Sequence, residues 1–236
     1  MVTKHLKKAW TAYRKNFLEF LKAIIIRDGV TFSIILFGVY LLLIGFADFN
    51  IIWPFLLAAY VSSVVLQGGF VKMCYESLRG KTTLNTMFKT TKKRGWPLIG
   101  GNLLVAVVLL IILLVVLSAS TFLQSYIYSS IFQLFLVFFG TFLVFVLFSF
   151  VDQAIVIDNK NSFKSLKKSV EIATKSYLKM VYLFVIIFCL MLVSRFSIGL
   201  IPQIGQILDL VVSHFFIIPL MIISLTSIYV EGKRRR

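Results

Sequence analysis

The chain has 236 residues, of which 59% are apolar, with a mean hydropathy of +0.95 and a formal net charge of +16. Too few polar residues remain to coat a water-soluble core, which excludes a soluble globular domain. The basic residues are spread through four segments that flank apolar stretches, so anionic lipid headgroups are the expected counter-charge and nucleic acid is not an expected partner.

Taken in chain order, residues 1–27 mix Lys4, Lys7, Lys8, Arg14, Lys15, Lys22 and Arg27 with a stripe of Leu6, Trp10, Tyr13, Phe17, Leu21 and Ile24 at steps of three and four. That spacing predicts a basic amphipathic helix lying in the membrane interface. The interleaved charges, with no small-x-small site after the first apolar stretch, do not read as a signal peptide. Apolar stretches follow at residues 29–47 and 51–71, each near the roughly 17 to 25 residues a helix needs to cross hydrocarbon. In the second, Ala59, Ser63 and Gln67 share a face and lead into Gly68 and Gly69, a pattern that favours close helix packing.

A second basic segment, Lys72 to Arg94, carries a weaker stripe of Leu84, Met87 and Phe88 over residues 83–93. The third span, 97–117, has Asn102 after Gly100 and Gly101, and residues 118–130 are expected to connect it to the fourth, 131–151. Asp152 and Gln153 sit at that span's end, where a lysine from a basic segment is the expected partner of the carboxylate. Residues 161–177 repeat the amphipathic pattern with Phe163, Leu166, Val170, Ala173 and Tyr177, and Ser162 is placed to cap the helix. The fifth span, 177–194, ends at Arg195. An apolar stretch, 196–206, then either re-enters the bilayer or lies along its outer surface before the sixth span, 207–230.

All of the 25 lysines and arginines except Arg195 fall in the segments that six crossings would place on one side. Lysine and arginine beside span ends are retained in the cytoplasm, so both termini are expected inside a cell membrane crossed as three hairpins. The fold class is therefore all-α and polytopic, with each hairpin preceded by a basic interfacial helix. Lys7, Lys8, Arg14, Lys15, Lys92, Lys93, Arg94, Lys167, Lys168, Arg234, Arg235 and Arg236 are the expected contacts to lipid headgroups.

The hairpins also look like copies of one another. Leu78-Arg79-Gly80-Lys81, Ile157-Asp158-Asn159-Lys160 and Val230-Glu231-Gly232-Lys233 each read aliphatic, charged, Gly or Asn, Lys, in which the third residue can take the left-handed conformation that ends a helix. The entries Lys15-Asn16-Phe17, Arg94-Gly95-Trp96 and Lys175-Ser176-Tyr177 recur about 80 residues apart. One membrane domain, 1–236, with units near 1–80, 81–160 and 161–236, is the expected organisation.

The chain resembles the six-helix membrane domain found ahead of some bacterial glycerophosphodiester phosphodiesterases, and related stand-alone YciC-type and DUF975-type proteins. The resemblance rests on Ser165-Leu166-Lys167-Lys168-Ser169 leading to Lys175-Ser176-Tyr177, on Ile201-Pro202-Gln203-Ile204-Gly205, and on Pro219 with Tyr229. It implies architecture alone, since the phosphodiesterase barrel and its metal ligands have no counterpart here.

Chemistry must come from the few polar groups at membrane depth. Gln67, Asn102, Asp152 and His214 are the candidates for a polar or transport path; hydrogen-bonded packing is the bland reading of each. Arg195 and Asp209 are expected to pair across the third hairpin, at a helix end where a carboxylate suits the dipole. His214 is five residues from Asp209 and lies on a different helix face, so the two do not form a dyad. No motif for phosphate binding, nucleophilic catalysis or metal ligation is present, and no cofactor is expected. Cys74 and Cys189 are too far apart along the expected fold to pair. The expected function is a non-enzymatic scaffold, assembly or accessory protein with a membrane-protein partner; a small transporter or lipid-handling permease with a path between the hairpins is the alternative.

Overall fold

A computed structural model describes residues 2–44, 52–123, 130–198 and 204–234, and every element among them is helical. The elements are α1 (Val2–Lys15), α2 (Phe17–Leu43), α3 (Ile52–Ser77), α4 (Leu84–Leu123), α5 (Ser130–Phe148), α6 (Val151–Ile157), α7 (Ser162–Lys175), α8 (Tyr177–Ser197) and α9 (Gly205–Val212). A π-helical turn, Ser213–Ile217, joins α9 to α10 (Ile218–Arg234). Six helical stretches are long and apolar enough to cross a membrane: Phe17–Leu43, Ile52–Ser77, Leu84–Val115, Val137–Ile157, Tyr177–Ser197 and Gly205–Arg234. Asp48, residues 124–129 and 199–203, Arg235 and Arg236 lie outside the described residues.

The helix of the first span begins at Phe17, earlier than its apolar stretch, because the chain bends at Asn16; Arg27 and Asp28 pair within it (2.7 Å). The connection expected at 118–130 is helical as far as Leu123. The fourth span breaks at Phe150 and resumes as α6.

The basic stretches do not lie flat and apart from the spans. α1 packs along α10, the first turns of α4 pack on α3, and α7 packs on α5 and α6. Each stretch therefore lies on the second span of the hairpin before it, with the first closing on the last. This changes which faces are buried. α1 buries Val2, His5, Ala9, Ala12 and Tyr13 and leaves Trp10 47% exposed, while α7 buries Ser165, Ser169, Ile172 and Ala173 and leaves Phe163 75% exposed. Small residues face the spans because helix backbones approach closely there, and of the large apolar residues expected to anchor the stripes Trp10 and Phe163 point outward whereas Tyr13 is buried.

Two of the three entries are bends. Asn16 (φ −118°, ψ 23°) separates α1 from α2, and Ser176 (φ −116°, ψ 13°) separates α7 from α8. The Asn16 amide donates to Ala12 O (3.0 Å) and Gly80 O (3.1 Å), and its oxygen accepts from Thr82 N (3.0 Å), so it ties the bend to the turn after α3. No bend occurs at Gly95, where α4 runs continuously through Pro97, so the second interfacial helix is the first part of the third span. Its start is capped from another element: Glu19 of α2 accepts a hydrogen bond from Leu84 N (2.8 Å).

The chain exits differ as well. Gly80 (φ 154°) and Asn159 (φ 54°) have positive φ, and after Asn159 the chain turns so that Lys160 N donates six residues back to Ala154 O (3.2 Å), which satisfies a carbonyl at the end of α6. Gly232 instead stays helical. A Cβ there would meet Ile172 Cγ2 at 3.0 Å, so this glycine serves close packing of α10 on α7. Ser162 does not cap α7; its hydroxyl donates to Pro97 O (3.0 Å) of α4.

Broken backbone is satisfied by neighbouring side chains, as it must be where water is excluded. The Ser169 hydroxyl donates to Leu147 O (2.7 Å) and accepts from Phe150 N (3.1 Å), bridging the break between α5 and α6. Pro219 has no N–H to offer the carbonyl four residues back, and that carbonyl, Phe215 O, accepts the Tyr13 hydroxyl.

Candidate functional site

Close packing of α3, α4 and α6 sets the site. Gly68 lies against Leu98, Gly69 against the backbone of Met87, and Gly101 against Ile155 and Val151, each so near that an added Cβ would fall within 2.7 Å of a neighbour. These glycines let α4 approach α3 on one side and α6 on the other. Between the three helices and α10 remains a cavity of about 240 Å³.

Gln67, Asn102 and Asp152 all line this cavity, together with Gln153, Ser149 and a wall of apolar residues that includes Val71, Val105, Phe145, Phe148 and Met221. The structure thus gathers three of the four residues expected on a polar path. His214 is not among them: it sits on the π turn with its Nδ1 buried and without a hydrogen-bond partner.

Asn102 Nδ2 donates to Leu98 O (3.0 Å) of its own helix and to Asp152 Oδ1 (2.9 Å). An asparagine, not the expected lysine, is therefore the partner of Asp152. Gln67 Oε1 accepts from Arg27 Nη1 (2.8 Å). The same guanidinium forms two bonds to Asp28 (2.7 and 3.2 Å) and lies 5.4 Å from the centre of the Phe70 ring. Sequence reasoning counted Arg27 among the residues beside the membrane, although its spacing of forty residues from Gln67 on antiparallel spans places them level. Gln153, 2% exposed, has its side-chain Oε1 buried with no hydrogen-bond partner. Nothing in the sequence marks which of the two adjacent polar residues, Asp152 or Gln153, keeps an unsatisfied atom.

The third hairpin brings Arg195 and Asp209 together, with Nη1 3.4 Å from Oδ2. Asp209 is 8% exposed and also accepts the Ser194 hydroxyl, whereas the Arg195 side chain is largely exposed. Of the expected headgroup contacts, Lys7, Lys8, Arg14, Lys15, Lys92, Lys93, Lys167 and Arg234 are exposed. Lys168 pairs with Glu171 (3.2 Å), and Arg94 donates to Asn159. At the α1–α10 contact, His5 Nδ1 lies 2.9 Å from Ser227 Oγ and Nε2 lies 2.9 Å from Glu231 Oε2, while Lys179 reaches the other Glu231 oxygen at 2.8 Å.

Fold and site together define a polytopic helical membrane protein with polar groups enclosed among its spans. The family described as a domain of unknown function (DUF7847) matches residues 50–231, and the chain belongs to that family. No curated protein and no solved structure gives a match.

Proposed function

We propose that the protein is a non-enzymatic permease of small solutes in the cytoplasmic membrane, with both termini in the cytoplasm and the polar cavity as its binding site. One observation carries the reading: Gln67, Asn102 and Asp152, from three different spans, converge on a single cavity instead of being dispersed among helix contacts. Polar groups at membrane depth are costly, and a shared chamber gives that cost a use. The three amphipathic stretches hold the hairpins in a closed order around the chamber, and the exposed lysines meet anionic headgroups.

A scaffold or accessory role, acting through a membrane-protein partner, is the second reading. It draws support from the fact that Gln67, Asn102 and Asp152 each have a partner within the chain. Kinship with the YciC-type and DUF975-type proteins is likewise a proposal of architecture, resting on the patterns around Ser165, Lys175 and Pro202. Reconstitution separates the two functions. A permease gives flux of an ion, a small solute or a labelled lipid above that of empty vesicles, and a scaffold gives none while retaining a co-purifying partner.

A further inference from the structure

We propose that the recess between α3, the first turns of α4 and the end of α6 binds a phosphate monoester, a group with about two negative charges and three terminal oxygens. The site is separate from the polar chamber and does not depend on the permease reading. Helix packing creates it. Gly69 lets α3 meet α4 at Met87 and Thr91, so that Lys72, one turn further along α3, comes beside α4. On α4, Lys89 and Lys93 recur at a step of four, as do Thr90 and Arg94, which sets all four on one flank of the helix. Asn159, in the left-handed turn after α6, closes the third side of a cavity of about 450 Å³.

Charge and hydrogen-bonding capacity define the ligand. Lys72, Lys89, Lys93 and Arg94 bring four positive charges to the lining, and Glu76 is its one carboxylate. Among the described residues none of the four cations has a carboxylate within ion-pair distance, and Glu76 Oε2 instead accepts the Thr86 hydroxyl (2.8 Å). Like charges gathered around a recess repel one another, a cost that a bound anion removes. Neutral donors are in place as well. Thr90 Oγ1 has no hydrogen-bond partner among the described residues, and Asn159 gives its oxygen to Arg94, which leaves its amide N–H groups unengaged. Arg94 is the fixed member of the set, half-buried and donating through Nη2 to Asn159. A planar guanidinium held in this way can meet phosphate oxygens in pairs, which a mobile ammonium does not.

Trp96, two residues beyond Arg94 and 84% exposed, marks the level of the membrane–water interface. Lys89, Lys93 and Asn159 are exposed, so the recess opens near that level. The phosphate of a lipid such as phosphatidic acid and that of a soluble ester both have access there. The general attraction of exposed lysines for anionic lipid draws no distinction between neighbours on a helix. A built site does: Lys92 and Lys93 are both exposed, and of the two only Lys93 lines the recess.

The test is native mass spectrometry of the full-length protein in detergent, titrated with phosphatidic acid, phosphatidylglycerol and glycerol 3-phosphate. Phosphatidic acid should bind saturably, and phosphatidylglycerol, a singly charged diester with the same acyl chains, should bind at least about fivefold more weakly. Lys93→Gln should weaken the tightest binding of phosphatidic acid by about fivefold, and Lys89→Gln with Lys93→Gln by about tenfold or more, whereas Lys92→Gln should change it by less than about twofold. Thr90→Val should weaken it by about threefold, and Glu76→Gln, which removes the opposing charge, should tighten it. The source of the phosphate is read from competition: displacement of phosphatidic acid by about a tenfold excess of glycerol 3-phosphate assigns the site to a soluble ester, and no displacement assigns it to the lipid. Equal binding of the two lipids, equal losses in Lys92→Gln and Lys93→Gln, weaker binding in Glu76→Gln, or binding of neither monoester would each overturn the proposal. All of these outcomes are independent of flux in vesicles, which tests the permease reading alone.

Discussion

His5 illustrates how a single residue couples the ends of this fold. Its neutral ring can accept from Ser227 at Nδ1 and donate to Glu231 at Nε2, which uses both nitrogens. Burial lowers its pKa below the usual 6.5, outweighing the pull of Glu231, and the nearby Lys179 and Lys8 add to the lowering. The unfolded chain therefore takes up a proton near pH 6.5 while the folded one does not, and stability present above that pH is lost as the pH falls through it. Thermal unfolding in detergent should show a lower Tm at pH 5.5 than at 7.5, by up to about 1 kcal/mol from this group, and His5→Gln should flatten the dependence. An unchanged slope in the variant would assign the effect elsewhere. At the opposite end of the bundle, the largely exposed Arg195 should contribute at most about 1 kcal/mol through Asp209. In a double-mutant cycle, Arg195→Gln and Asp209→Asn should together cost less than the sum of the two, with Asp209→Asn the costlier alone because it also serves Ser194. Strict additivity would show that the two side chains do not interact.

At the scale of elements, packing is set where backbones meet without intervening side chains. Gly69 is the sharpest case, since a Cβ would lie 2.7 Å from the Met87 carbonyl oxygen, a backbone atom that cannot rotate away, whereas a Cβ on Gly29 meets nothing within 4 Å. Gly69→Ala should therefore destabilise the protein by about 1–3 kcal/mol and Gly29→Ala should change little, as read by thermal unfolding. Ser169→Ala leaves both Leu147 O and Phe150 N without their bridge and should cost a similar amount. The sequence made these helices legible through length and hydropathy, and the hairpin ends through Gly80 and Asn159. It concealed the docking of the basic stretches: an amphipathic pattern reports that one face is apolar but not whether lipid or another helix covers it. Ser165 and Ser169 read as the polar side of α7, yet they are buried because their hydroxyls satisfy backbone within the bundle. Likewise Gly232 shares a motif position with Gly80 but answers a packing demand from Ile172, which depends on a contact far away in the chain.

Across the whole molecule, α3, α4, α5, α6 and α10 contribute the walls of the chamber on which the functional account depends. If the protein has the orientation we propose from its charge distribution, a cysteine introduced at Asn50 should react with an impermeant thiol reagent in intact cells while one at Asn161 should not; the opposite pattern would invert the topology. Convergence of Gln67, Asn102 and Asp152 was foreseeable as a possibility from their polarity and depth, but the exclusion of His214 was not, because the π turn shifts its helix register. The most direct measurement is solvent access to the chamber, in protein whose Cys74 and Cys189 have been replaced. Asn102→Cys should be modified by a small thiosulfonate, whereas Gly101→Cys, packed against Ile155 and Val151, should stay unreactive. Modification of neither position in folded protein would contradict the account and leave these polar residues as packing within a scaffold.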